Sequence, residues 1–595
     1  MNIVITGAGI VSAIGLNQAE VLESLQQERS GIGPMTHLPS QHRELPVGEV
    51  KLSNAEMQQM LHLDPSREMS RTTLMGILSV RQAIDDAFKE QRSHGKDISE
   101  TLAGRRIVLV SGTTVGGMDI TERHYSEMKH SDDHIDCLRH HDCGSCTHDI
   151  ADYFGFFTDS TTLSTACSSA ANAIALGADL LRAGEADIVV AGGSEALSLF
   201  HLNGFLSLMI LDKERCRPFD ATRAGLNLGE GAAFVVMERE ESAETRHAEI
   251  YAYLSGYGNA CDAYHQTASS DDGEGAYLSM RQALAMAGLS PRSIQYVNAH
   301  GTGTPNNDLS ESVALRRLFG ASMPPVSSTK SYTGHTTSAS GSIEAVICLL
   351  AMRHRFIPSN LGWSNAMDDG ITPTMGQKDV TLTHVLCNSF GFGGNDTSLL
   401  FSSERPSQSL PPLRTDIPIK ELSRVEITDE ASIQEIKDFI SPLEARRMGK
   451  LLKSSLLTSL KALRQGGIER PDAIITATAL GCQENSERLL EQLASEGEVM
   501  LKPTYFMQST HNTLSSNIAI RTKSHGYNVT FSHGQASLEW ALRTARLLLS
   551  TGQYRHVLVG LHDESTPLYR SLQQRLDESP TPSIHSLSLL LTCGK

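Results

Sequence analysis

Residues 162–196 read TLSTACSSAANAIALGADLLRAGEADIVVAGGSEA. An alternating strand runs to Ala166, small residues turn the chain at Cys167, a long helix starts at once, and a second apolar strand follows at 187–191. Strand, tight turn, helix and strand in that order are the unit of a layered α/β fold. The turn puts Cys167 at a helix N-terminus, where unpaired N–H groups and the helix dipole favour a thiolate. Strand-to-helix elbows also present their side chain outward. A free cysteine is otherwise a small buried hydrophobe, and this segment on its own leaves both roles open.

Two further stretches bear on the choice. VNAHGTGTPNND (297–308) and STKSYTGHTTSASGSIEA (328–345) each set a histidine, His300 and His335, beside Gly and Thr in a turn. One such histidine is most simply a hydrogen-bonded loop residue. Two of them, with a cysteine at an elbow, make a workable acyl-transfer site. CNSFGFGGNDTSLLF (387–401) then places Phe390 and Phe392 in a glycine-rich loop whose backbone can approach a ligand closely.

Strands at 2–6, 106–111, 187–191, 232–238, 294–298 and 397–401 alternate with helical patterns up to residue 403. SSERPSQSLPPLRTD (402–416) has no apolar period and reads as a linker. The chain therefore divides into 1–403, a linker over 404–416, and a second α/β segment over 417–595. That segment repeats part of the first. TFSHGQASLEWALRT (530–544) aligns without gaps on residues 162–176, and the same register sets Gly552 on Gly184, Val557 on Val189 and Gly560 on Gly192. Gln535 then stands where Cys167 stands, and an amide cannot carry an acyl group as a thioester.

The whole chain has 595 residues, 40% hydrophobic and 20% charged, enough for two or three globular domains. A net charge of −17 argues against nucleic acid as a partner. No apolar run nears the roughly 20 residues of a membrane helix, and MNIVITGAGIVSAIG lacks a basic leader region, so neither signal peptide nor membrane anchor is expected. Ten cysteines at irregular spacing read as reduced thiols, hence a cytoplasmic protein. Gly7 and Gly9 form only half of a dinucleotide fingerprint. CLRHHDCGSCTH (137–148) has zinc-like spacing at Cys143 and Cys146 with flanking His140, His141 and His148, but lacks a second well-spaced ligand pair, so a loop is favoured over a metal site.

TACSSA around Cys167, NAHGTGTPNND around His300, KSYTGH with Lys330 and His335, RPFDATRAGLNLGEGAA (217–233) and NSFGFGG occur in one order across residues 1–403. Together they resemble the elongating, decarboxylating β-ketoacyl-(acyl carrier protein) synthases of fatty-acid and polyketide assembly. The resemblance implies a thiolase fold, αβαβα in layers, made of two βαβαβαββ halves. It also implies that Cys167 carries the acyl group, that His300 and His335 stabilise the enolate formed as malonyl loses its carboxylate, and that Lys330 and Glu344 tune the site. Backbone N–H groups of Cys167 and Phe392 would form the oxyanion hole, with Phe392 as a gate, Phe390 beside it and Val115 at the bottom of the acyl pocket. No cofactor or metal is implied, since substrates arrive on the phosphopantetheine of an acyl carrier protein. Arg67, Arg71, Lys213 and Arg215 are candidates for docking that acidic partner; a solvated charged face is the competing explanation.

The family works as dimers, so a homodimer or a pseudo-dimer with a ketosynthase-like subunit is expected. The 417–595 segment resembles the N-terminal half of a ketosynthase, with Gln535 as in chain-length-factor subunits, and is expected to be inactive. A thiolase would need a second catalytic cysteine, for which Cys387 is the candidate. A scaffold or chain-length partner is the alternative from another class, argued against in residues 1–403 by the intact Cys167, His300 and His335.

Overall fold

The computed structural model describes residues 1–93 and 98–594. One strand pattern occurs three times along a single fifteen-stranded sheet. In the first unit β1 (Ile3–Ser12), β2 (Ile107–Gly112), β3 (Asp159–Leu163), β4 (Ile188–Glu195) and β5 (Gly231–Arg239) lie in the order 3-2-4-5-1. In the second, β6 (Ala252–Cys261), β7 (Tyr296–Asn298), β8 (Val326–Ser327), β9 (His384–Gly391) and β10 (Asn395–Ser402) lie in the order 8-7-9-10-6, the same pattern again. Only two residue pairs, Val4–Tyr253 and Ile5–Ala252, join β1 to β6, so the sheet splits there into two layers.

Helix α1 (Arg71–Ala87) covers the outside of the first layer. Helices α2 (Ser169–Arg182), α3 (Glu274–Ala287) and α4 (Ser340–His354) complete the stack, with α2 and α4 between the layers and α3 outside the second. The result is αβαβα, the thiolase fold. Composition explains the placing of α2. Its AANAIALGADLL run is small and apolar on every side, and all of its residues are buried. Gly341 lets α4 lie directly on it, since a Cβ there would stand 2.7 Å from Ala171 Cβ.

The third unit is β11 (Ile419–Ile427), β12 (Ala473–Ala477), β13 (Tyr527–Phe531), β14 (His556–Glu564) and β15 (Ile584–Cys593), in the order 13-12-14-15-11. Helix α5 (Lys450–Gly466) lies on it as α1 lies on the first unit, α6 (Thr513–Thr522) packs on α5, and α7 (Ser537–Ser550) takes the place of α2. The ungapped repeat is thus a structural repeat. No second layer covers α7, and its sequence fits this. Trp540, Ala541, Ala545 and Leu548 are buried, whereas Glu539 and Arg546 face solvent.

The third unit docks edge to edge on its own chain. Strand β13 pairs antiparallel with β3 at Phe531–Leu163. Ser164 N–H donates to Thr530 O at 2.9 Å, and Ser532 N–H to Thr162 O at 3.0 Å. Because 162 corresponds to 530 and 164 to 532, these bonds are equivalents across a pseudo-two-fold axis. Arg543 adds ion pairs to Asp159 and Glu185. The stretch read as a linker is anchored at two points. Leu410 and Leu413 are buried, and their N–H groups donate to Met1 O and Arg182 O. Spaced leucines in a Pro-rich run gave that stretch a means of attachment that its lack of period concealed. Among the described residues no helix is long and apolar enough to cross a membrane.

Phe531, fully buried at the β3–β13 seam, tests the docking. Phe531→Ala should cost about 3–5 kcal/mol, read as an earlier denaturant midpoint, with proteolysis separating the third unit from the rest before global unfolding.

Candidate active site

The elbow at Cys167 is strained in a specific way. Ala166 takes φ 52°, a left-handed value that non-glycine residues seldom adopt. Two contacts of Ser169 hold it there: its Oγ accepts from Thr165 N–H at 2.8 Å and donates to Ala166 O at 2.6 Å. Strand β9 ends against this turn. A Cβ on Gly391 would stand 2.9 Å from Thr165 O and 3.2 Å from Cys167 N, so only glycine lets the Phe390–Phe392 loop come so near. The third unit rebuilds the elbow around Gly534 (φ 55°), with Ser537 Oγ accepting from His533 N–H at 2.8 Å. There, however, Gln535 is exposed and a Cβ on Gly534 would meet open space. The shape is kept; the thiol and the pocket are gone.

Around Cys167 the second unit supplies the remaining groups. His335 Nε2 lies 3.0 Å from Cys167 Sγ, and its Nδ1 lies 3.0 Å from Ser340 Oγ. The His300 ring is 5.3 Å from that of His335 at 80°. Lys330 Nζ, itself 2.5 Å from Glu344 Oε1, sits 3.2 Å from His300 Nδ1. An ammonium can only donate, so His300 Nδ1 accepts and the ring proton is on Nε2, free to donate to a substrate oxygen. Phe390 packs its ring 6.0 Å from His300. Two carboxylates that sequence reasoning missed hold these turns. Glu311 accepts from the N–H groups of His300 and Gly301 at 2.9 and 2.8 Å. Glu195 accepts from Thr114 and Val115 N–H and from Ser338 Oγ, tying the Val115 loop to the turn after His335. Neither carries a local signal, because each acts on a loop remote in sequence or one helical stretch away.

Burial governs the charges. It drives both His300 and His335 well below their ordinary range, with the Lys330 ammonium adding to the effect, so both rings are neutral. Burial likewise pushes the Cys167 thiol up to about 11; Lys330 and the Phe392 N–H oppose this without reversing it. The sequence pointed to a thiolate stabilised by the helix N-terminus. In the folded chain burial opposes that thiolate, and the Nε2 of neutral His335 stands beside the sulfur. Glu344, also buried, is raised to about 7, and its Oε2 has no partner among the described residues.

Comparison with known proteins gives this set its family. A β-ketoacyl synthase N-terminal domain model matches residues 1–243, the corresponding C-terminal domain model matches 251–364, and a second N-terminal domain model matches 422–595. The chain belongs to the β-ketoacyl synthases. It is 33% identical to 3-oxoacyl-[acyl-carrier-protein] synthase 2 of Staphylococcus aureus (strain MRSA252) over 421 residues, 67% of this chain and 98% of that protein. The ishigamide ketosynthase/chain length factor is 30% identical, with a TM-score of 0.62 over 68% of this chain and 99% of that one. The PfaC keto synthase–chain length factor shares the fold over the whole length, with a TM-score of 0.80 at 16% identity covering 78% of that chain. The enzyme is thus an acyltransferase of the condensing class.

The remaining residues singled out from the sequence scatter in this ketosynthase. Val115 is buried in a narrow cavity with Met118, Phe200 and His201, closed on its far side by Leu480, Phe506 and His511 of the third unit. Phe392 stacks on Phe205 at 5.7 Å, and Phe205 meets Phe506 at 5.3 Å. Arg67, Lys213 and Arg215 are exposed. Arg71 is not available for docking: it is buried against Glu230 at 2.6 Å, because α1 begins there and turns its first side chain inward. Cys387 is buried beside Cys348 rather than presented to Cys167. Residues 137–148, read as a loop, instead form a 3₁₀ turn (Ile135–His140) and the start of a helix (Cys143–Phe154), and their side chains part company: Cys146 goes to Ser70, His140 to Asp149, His141 to Thr121, and the His148 ring lies 4.2 Å from that of His533.

The thiol's raised value sets a pH dependence. Alkylation of Cys167 by iodoacetamide should climb roughly tenfold per unit from pH 7 to 10, with no plateau until near 11. Mass spectrometry of the modified peptide would read this. A plateau near neutrality would mean that the helix dipole, not burial, controls the sulfur.

Proposed function

We propose that residues 1–403 condense an acyl chain held on Cys167 with malonyl-(acyl carrier protein), and that residues 417–595 are an inactive half-ketosynthase that completes the acyl pocket. The 3.0 Å contact of Cys167 Sγ with His335 Nε2, beside a neutral His300, carries the reading. The sulfur attacks the carrier thioester, its proton passes to His335 and on to the departing phosphopantetheine sulfur, and the acyl group becomes a Cys167 thioester. Malonyl-carrier protein enters past Phe392. Its C–CO2 bond breaks, CO2 leaves, and the enolate oxygen accepts hydrogen bonds from His300 Nε2–H and from His335, whose ring proton now stands on Nε2 with Nδ1 accepting from Ser340 Oγ. The enolate carbon attacks the Cys167 carbonyl, the oxyanion resting on the N–H groups of Cys167 and Phe392. Collapse expels Cys167 as a thiolate, which takes up one proton from solvent to restore the thiol, and yields the β-ketoacyl-carrier protein. No redox or metal chemistry is needed, because the thioester and the lost carboxylate supply the driving force.

Three features support the wider reading. The β3 edge is already occupied by β13, which supports a pseudo-dimer within one chain over a homodimer through that edge. All ten cysteines are free, which suits a reducing cytoplasm. For the carrier, a cleft of about 1120 Å³ on the third unit is lined by Arg446, Arg447, Lys453, Lys502 and Lys523, none with an acidic partner among the described residues. Its opposite wall is Tyr264–Gln266, whose Gln266 O accepts from Gly393 N–H of the gate loop. A basic cleft opening on the gate of a protein with net charge −17 suits an acidic carrier. Arg446 stands before α5 as Arg67 stands before α1, so this docking face echoes the one expected on the first unit.

Cys167→Ala should abolish condensation and acyl labelling; near-normal elongation by that variant would overturn the assignment. His300→Ala or His335→Ala should slow decarboxylation on the order of 10²–10³-fold and spare acyl transfer more. Val115→Phe should shorten the longest accepted acyl chain, and Phe506→Ala should lengthen it, both read from product masses. Charge reversal at Arg446 and Arg447 should raise KM for the carrier protein tenfold or more with kcat little changed.

A further inference from the structure

A file of five buried asparagines runs behind the gate loop, and the reaction as derived above makes no use of it. Asn172, Asn259, Asn395, Asn512 and Asn528 are exposed by 2%, 5%, 0%, 1% and 1%. Asn512, just before α6, donates through Nδ2 to Phe392 O at 2.8 Å and to Asn395 Oδ1 at 2.7 Å. Asn395 Nδ2 donates to Asn528 Oδ1 at 2.9 Å and to its carbonyl at 3.0 Å. Asn528 N–H donates to Asn259 Oδ1 at 2.8 Å, and Asn259 Nδ2 to Asn172 Oδ1, also at 2.8 Å. Asn172 Nδ2 ends the line on Thr165 Oγ1 at 3.0 Å and Ser168 Oγ at 3.3 Å. From Asn512 one donation goes outward to the gate and the other inward along the file to both sides of Cys167; at Asn528 the backbone N–H carries the line on, and Asn259 Nδ2 also donates back to Asn528 O at 3.3 Å. Two members, Asn512 and Asn528, belong to the third unit.

The peptide between Phe392 and Gly393 is gripped from both sides. Asn512 holds its carbonyl. Its N–H donates to Gln266 O at 2.7 Å, and the Gln266 amide donates in turn to Asn517 Oδ1 at 2.9 Å. Gly393, with φ 81°, is the point at which the loop can pivot. A Cβ on it would meet Ser516 Oγ at 2.1 Å and Asn512 Nδ2 at 3.0 Å, so the third unit also seats the pivot sterically. The Asn512 Oδ1 has no partner among the described residues, which leaves its two donations to orient the amide. In this arrangement the gate loop lies against the elbow, where the Phe392 N–H lowers the proton affinity of the Cys167 thiol and a Cβ on Gly391 would stand 3.2 Å from Cys167 N.

We propose that Asn512 is a positioning residue: the half-ketosynthase holds the gate closed over Cys167 through it, and the asparagine file couples gate position to the geometry of the elbow. This rests on Cys167 being the acyl carrier. It gives the third unit control of when the oxyanion hole is assembled, beyond its place as a wall of the acyl pocket. Loss of the clamp lets the loop pivot away, so the steps that need the Phe392 N–H suffer, whereas enolate formation at the histidines does not.

The test uses the full chain with Asn512→Ala and with the near-isosteric Asn512→Asp, whose carboxylate would face two oxygen acceptors. Acyl transfer from acyl-carrier protein to Cys167 is timed by intact mass. Malonyl decarboxylation is measured with each change placed on Cys167→Gln, where no acyl step intervenes. Acylation should fall about ten- to a hundredfold, the scale expected when a reacting group is misplaced by an ångström, while decarboxylation stays within twofold. Acylation at the unmodified rate in both variants, or equal loss of both half-reactions, would overturn the clamp. An unmodified enzyme that takes no acyl group at all would instead overturn the assignment of Cys167 on which it rests.

Discussion

The antiparallel seam between β3 and β13 is the contact on which the rest of this ketosynthase depends. β3 leads straight into the Cys167 elbow and is the outermost strand of its unit. Left alone it would present a row of unpaired N–H and C=O groups four residues from the reactive thiol. The third unit closes that edge with a copy of the same strand, and the pseudo-two-fold symmetry of the two hydrogen bonds follows from the repeat itself. Everything that the third unit brings to the site comes with this docking: Phe506 and His511 against the Val115 cavity, Asn512 against the gate, and the basic cleft beside Gln266.

Half a ketosynthase suffices for this because of what each half contributes. The first half of the fold carries the edge strand and the elbow; the second carries the histidines, Lys330 and Glu344. A third unit that copies only the first half can complete an edge and a pocket wall but has no imidazoles to offer. Its elbow has kept the left-handed turn and the serine latch, since these form the connection between β13 and α7 and are needed whether or not a thiol sits there. The inner helix has adapted. α2 is buried over its whole length between two sheets, whereas α7 carries Glu539 and Arg546 on the face that no second sheet covers.

Within the site, low polarity has the larger part. Burial keeps two histidines neutral beside the Lys330–Glu344 pair and favours the protonated cysteine. Neutral imidazoles are what an enolate oxygen requires, as donors that need not first lose a proton. The 3.0 Å approach of His335 sets a neutral imidazole nitrogen directly beside the sulfur.

Much of this was legible in the amino-acid sequence. Alternating strands and a largely apolar helix mark the layered halves, Gly-flanked motifs mark Cys167, His300, His335 and the Phe392 loop, and the ungapped repeat marks the copy in which Gln535 replaces the cysteine. These are local properties: period, turn chemistry and residue type act over a few neighbours, and sequence order carries them. What only the tertiary structure decided is relational. The sequence ranked Arg71 with exposed docking residues, yet the fold turns it onto Glu230, 159 positions away. A Pro-rich stretch without period is anchored, because two leucines and three backbone bonds find partners hundreds of residues distant. The thiol's proton affinity, the carboxylates Glu195 and Glu311 that pin the turns, and the asparagine file behind the gate all arise from groups that meet only in the folded chain. Desolvation and hydrogen bonding depend on which atoms surround a side chain in space, and linear neighbours do not specify them.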